Sequence, residues 1–302
     1  MTTIIVSSGV TSSGVDVRSG DLMEVLSFGS AIATKVEFGG EEHVFSAGET
    51  IGTVISDGGL VVVDNGGEAR GTLVSGFNAE LDDKGGLIVS TVVGNFGVDV
   101  VEGGLFGGFS LSTTVLSGGV ELVGNSGTTE LTVVSSGGLE IVLSGGTASN
   151  TTVSSGGQEI VSSGGVASDT IVMSGAQLDL AGGEADGTGF GVVSSGGVVN
   201  VSAGGVLGRL VVLNGGRVIV SAGGLAESTD DRGDLLIEGG GSALDVIPGV
   251  GGDVLVESFR RPLWGTRRWS LHAVYPDFAV RQRARFPRRE QRLTSTAQAA
   301  RR

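Results

Sequence analysis

Cysteine is absent from this chain, so disulfides, thiol chemistry and cysteine-ligated metal sites are all closed to it. That absence does not fix the compartment, because extracellular proteins also do without disulfides. Proline is scarce, with 4 residues in 302, and no Gly-X-Y period is present, which excludes a collagen-like helix. Histidine is limited to His43 and His272. A metal site needs converging ligands, and His43 beside Glu41 and Glu42 reads as a solvated strand residue. No apolar run approaches the roughly 18 residues of a membrane-spanning helix. Residues 1–9 carry neither a basic segment nor a long apolar stretch, so no cleaved secretory signal is expected there. Net charge is −14, which argues against duplex nucleic acid as a partner of the whole chain.

What the chain has in excess is glycine: 57 residues, close to one in five. A flexible Gly/Ser linker would look similar, but 39% of the residues are hydrophobic and excess surface of that kind must be buried. The glycines keep time. Gly118, Gly137, Gly156 and Gly175 are each 19 residues apart, and Gly127, Gly146 and Gly165 repeat the beat at an offset. Threonines agree independently, in the sets Thr34, Thr53, Thr72, Thr91 and Thr113, Thr132, Thr151, Thr170. A 22-residue step from Thr91 to Thr113 separates the sets and places a short insertion near Gly94–Gly108.

Each unit reads as two short β-type runs separated by Ser-Gly-Gly turns, in which glycine supplies the positive φ angles. Helix is excluded by the spacing of the glycine pairs. Apolar columns supply the folding force: Val115, Val134, Val153, Val172, Val193 and Val212 share one position, and Val44, Val63, Val123, Val142, Val161, Val201 and Val220 another. One unit cannot bury such a set alone, but stacked units bury it as continuous ladders. The fold class is therefore all-β, a parallel β-solenoid of about twelve 19-residue repeats with an irregular C-terminal tail. At about 4.8 Å per coil the rod would be roughly 55–60 Å long. Residues 1–14 are expected as an N-terminal cap, 15–245 as the repeats and 246–258 as a terminal coil and junction. Glu121, Glu140 and Glu159 form a column of like charge. Strict alternation from Val142 would turn them inward. Repulsion instead leads us to expect a bulge or corner and a column that faces solvent or is bridged by a cation such as calcium.

The pattern Val-x-x-Gly-Gly-x-x-x-Val-x-Ser-Gly-Gly-x-Ala-x-x-Thr resembles the passenger repeats of AIDA-type autotransporter adhesins. Residues 151–169 look like a near-consensus copy. The resemblance spans about residues 15–245. It implies an extended β-helical passenger, extracellular or at the bacterial surface, that mediates adhesion to other cells or surface glycans, or self-association. It also implies O-linked heptoses on repeat Ser and Thr residues. Similar repeats precede a Hedgehog/intein-type domain in a related bacterial group, which opens with a stretch like Ile5-Val6-Ser7-Ser8-Gly9. This chain shows no cysteine for intein-type self-processing and no alternating C-terminal segment long enough for a membrane barrel.

Composition changes abruptly at Phe259. Before it lie 7 basic and 31 acidic residues; from it onward there are 12 arginines, 2 acids and a single glycine, Gly265. Three readings fit this tail: a segment translated out of frame, a disordered end, or an arginine-rich anchor for polyanions assisted by Trp264 and Trp269.

No catalytic residue, cofactor or metal is expected. Two other functions compete with the adhesin-like one. A polysaccharide-active β-helix needs clustered Asp, Arg or Lys in a groove, and the repeat body disperses its basic residues as Arg18, Lys35, Arg70, Lys84, Arg209, Arg217 and Arg232. An ice-binding solenoid would display Thr113, Thr132, Thr151 and Thr170 as a flat outward array.

Overall fold

The structure is a computed structural model that describes residues 2–103, 107–186, 191–249, 252–257 and 281–283. Most of the arginine-rich tail, including His272, Trp264 and Trp269, lies outside the described residues. The chain winds into three parallel sheets of 15, 13 and 13 strands, with strands contributed in rotation as far as Asp253–Glu257. One coil shows the logic. Leu139–Val142 lies in the first sheet, Thr147–Ser149 in the second and Thr152–Val153 in the third. The next coil repeats them at Gln158–Ser162, Val166–Ser168 and Ile171–Val172, in register. Thirteen such three-strand coils follow one another, and Asp253–Glu257 extends the first sheet beyond them. At about 4.8 Å each, the thirteen coils span roughly 60 Å.

The ladders run through residues expected as a cap. Thr3–Val6 and Thr11–Ser13 already pair with Leu22–Val25 and Ser30–Ile32. At the other end Ile247–Pro248 and Asp253–Glu257 continue the third and first sheets, and Arg281–Arg283 pairs with Leu255–Glu257.

Each coil has three strands where the glycine pattern suggested two, and the reason lies at the corners. Two corners are glycine pairs. At Gly145-Gly146 the first residue has φ of 80°, and a Cβ on the second would stand 2.2 Å from the Val123 carbonyl oxygen of the coil below. One glycine is needed for its backbone angle, the other for the close approach. The third corner also requires positive φ; Gly14, Gly52 and Gly71 supply it in early coils, but ordinary residues supply it later: Ser90 (60°), Ser112 (63°), Leu131 (62°), Asn150 (55°) and Asp169 (57°). Without a regular glycine to mark it, this corner was invisible in the sequence. The insertion falls between the strand Val98–Glu102 and the strand Phe109–Leu111. Val98 pairs with Val120 across 22 residues, and Phe109 returns to the 19-residue beat against Thr128.

The interior follows from alternation. In the first sheet the second and fourth residues point inward, as Glu140 and Val142 do. The second sheet contributes one small side chain, such as Ala148 or Ala167, and the third one valine. Burying a valine contributes about 1.5–3 kcal/mol, and each is gained only when the neighbouring coil is present. The solenoid is therefore a stack of interdependent coils.

Candidate functional site

The ladder valines Val115, Val134, Val153, Val172, Val193 and Val212 are fully buried in the third sheet, each paired with the next. The turn glycines Gly118, Gly137, Gly156 and Gly175 have φ of 75°, 74°, 78° and 75° and stand at the corner between the third and first sheets. Their amides donate up the rod, Gly118 to the Gly137 carbonyl, Gly137 to Gly156 and Gly156 to Gly175, each at 2.8 Å.

That corner carries an outward column of hydroxyls. Ser117, Ser136, Ser155, Ser174 and Ser195 immediately precede its positive-φ glycines, and all five are exposed. Each lies over the glycine of the following coil. A Cβ on Gly156 would come 2.6 Å from Ser136 Oγ, and one on Gly175 would come 2.8 Å from Ser155 Oγ. Glycine there keeps the hydroxyl of the coil below unobstructed. Ser144 and Ser163 repeat the arrangement at the corner between the first and second sheets. The result is a set of serines spaced by one coil, about 4.8 Å, along two edges of a rigid rod. Periodic geometry of this kind suits repeated modification or repeated weak contacts.

The threonines do the opposite of what an ice-binding array requires. Thr113, Thr132, Thr151 and Thr170 are 1%, 1%, 0% and 4% exposed, and Thr34, Thr53, Thr72 and Thr91 are equally buried. Each follows the positive-φ residue of the third corner, which turns it inward. That reading is excluded by their burial.

The glutamate column is also reversed. Glu121, Glu140 and Glu159 are fully buried inside the first sheet, in line with Asp99 one coil earlier. No bulge intervenes, because the same strands must keep Val123, Val142 and Val161 inward, and a one-residue slip would expel those valines. Threonine hydroxyls partly satisfy the acids: Thr132 donates to Glu121 at 3.1 Å and Thr129 to Glu140 at 3.0 Å. Glu42, in an earlier coil, accepts from Thr50 at 3.0 Å. Burial pushes the Glu140 and Glu42 carboxyls up to about 7. Burial and then the neighbouring carboxyl charges hold Asp99, Glu121 and Glu159 well above the ordinary range. Asp83 and Asp231 rise to about 7, chiefly through burial, with backbone amides opposing the shift.

His43 is half-exposed, its Nε2 3.7 Å from Glu41. Among the described residues no group of three His, Cys, Asp or Glu side chains is arranged to hold a metal ion. The basic residues stand apart in surface ion pairs such as Arg18 with Asp16 and Glu37, and Arg232 with Asp230. A cavity lined by Thr170, Leu178, Ala185, Leu207 and Leu210 holds about 10 Å³, room for one water and far too little for a sugar. No helix among the described residues is long and apolar enough to cross a membrane.

These features define a passenger-type β-solenoid: a long regular rod that displays its edges. No family model matches the chain, and no curated protein does. Among solved structures, the crystal structure of the TibC-catalysed hyper-glycosylated TibA55-350 fragment superposes with a TM-score of 0.80 at 35% identity. The match covers 84% of this chain and 91% of that one. TibA is an autotransporter adhesin. The chain belongs to the AIDA-type autotransporter passenger family, and its solenoid is adhesin-like.

Proposed function

We propose that this chain is a non-enzymatic surface or secreted adhesin that works as a multivalent rod, with O-linked glycans on its corner serines. The observation that carries this reading is the exposed column Ser117, Ser136, Ser155, Ser174 and Ser195, one hydroxyl per coil above a glycine. The hyper-glycosylated state of the TibA fragment supports it. The partners are other cells, surface glycans or further copies of the chain, engaged by many weak contacts in parallel rather than by one deep site.

The test is modification by a TibC-type glycosyltransferase followed by mass-spectrometric mapping, with adhesion of displaying cells as the second readout. Glycans should map to the corner serines, and replacing all five with alanine should lower adhesion without lowering the melting temperature. Glycans on Thr132 or Thr151 in the folded protein would contradict the assignment. Depolymerisation of a polysaccharide by the purified rod would sink the non-enzymatic reading.

A further inference from the structure

The core contains one feature that adhesion does not use. At a single position of the first sheet, Asp99, Glu121, Glu140 and Glu159 stack in four consecutive coils as direct strand partners. Stacked strands place such groups about 4.8 Å apart. Both oxygens of Asp99, both of Glu159 and one each of Glu121 and Glu140 have no hydrogen-bonding partner among the described residues. Nothing cationic answers them. From the second sheet Ser110, Thr129, Ala148 and Ala167 face the column, and from the third only valines do; buried Asp83, with Asp82 beside it, stands at the N-terminal end. No lysine, arginine or histidine is buried among the described residues. The apolar core is interrupted in the N-terminal half of this column, around Asp99 and Glu121. One hydrophobic cluster ends at Val93, the next begins at Val134, and the buried Val101, Val115 and Val123 between them belong to neither.

We propose that these stacked carboxyls make the middle of the rod a proton-dependent joint, closed while they are neutral and loosened when they lose their protons. Four carboxylates cannot sit in one dry column without counter-charge; neutral acids can, donating to one another and accepting from threonine. Folding of these coils therefore takes up protons. The carboxyls titrate higher in the folded rod than in the unfolded chain. Their stabilising neutral form is thus fully present below about 4.5 and is lost as pH rises through about 7, the value for Glu140. The coils that follow carry Leu178, Val199, Val218 and Leu235 at the equivalent position, and the stretch 191–208 holds no buried carboxyl and has no such dependence.

Hydrogen exchange of the full chain at pH 5 and pH 9, corrected for intrinsic exchange rates, tests this directly. Protection of amides in 99–161 should fall by at least about tenfold more than in 191–208, the factor that attaches to one pKa unit. A Glu121→Gln/Glu140→Gln/Glu159→Gln variant should lose the difference, and Glu140→Gln alone should reduce it if the triple variant fails to fold. Equal loss of protection along the whole rod overturns the proposal. So does an unchanged pH response in the glutamine variants.

Discussion

Two stretches of this rod share a backbone and differ in what fills it. Coils built around Glu121, Glu140 and Glu159 keep carboxyls at the inward position of the first sheet; coils built around Val199, Val218 and Leu235 keep aliphatic side chains there. In both, the strands pair in parallel with the same residues facing inward, and the third corner takes positive φ. Side-chain direction in a stacked solenoid is thus fixed by register, which a valine two residues away and two neighbouring coils all enforce. Charge does not redirect the side chain; the charge itself gives way. Local hydroxyls make this tolerable in the acid stretch, where Thr129 and Thr132 reach Glu140 and Glu121.

The comparison can be broken most severely by moving an acid to where no hydroxyl awaits it. Val199→Glu, between Leu178 and Val218 and with Leu210 and Gly191 where the acid coils place threonine, should cost at least about 3 kcal/mol at neutral pH, read as a lost or shifted denaturant transition, because a carboxyl is buried without preparation. Native-like stability of that variant would show that the acid stretch is not specially equipped. Next in size is the pH response of the whole chain. Glu42, Asp83, Glu140 and Asp231 all rise to about 7 on folding, so the melting temperature should decline as pH climbs from about 4 through about 7. A melting temperature that rises over that interval would reverse the sign. Thr129→Val should cost about 1–2 kcal/mol in thermal unfolding by removing the donor to Glu140, and the cost should shrink in a Glu140→Leu background. Smallest of all, Leu131→Asn at the third corner should gain under about 1 kcal/mol, since asparagine tolerates the 62° φ that leucine resists. A melting curve shifted downward would remove that strain argument.

Much of this fold was legible because the repeat writes the same information many times. The 19-residue beat, the valine columns and the two glycine corners all appear in the sequence, and glycine identifies its corners since no other residue fits beside the Val123 carbonyl. The third corner was hidden because Ser112, Leu131 and Asn150 have no common chemistry, only a common backbone angle. The inward position of Glu140 was hidden for a different reason. Alternation from Val142 placed it inside, and single-charge electrostatics argued otherwise; the error was to assume an ionised side chain where burial makes a neutral one. The threonines share that lesson, since their hydroxyls point into the interior, where Thr132 reaches Glu121, and not to an outer array. The corner serines were visible in the sequence only as turn residues, and their exposure in a column emerged from the stacking of coils.

Carboxyl footprinting of the folded chain with a water-soluble carbodiimide tests the inward acid column most directly. The exposed Glu41, Asp57 and Glu184 should label rapidly, while Glu121, Glu140 and Glu159 stay unmodified until the rod unfolds. Labelling of Glu140 in the native rod as fast as Glu41 would contradict the account.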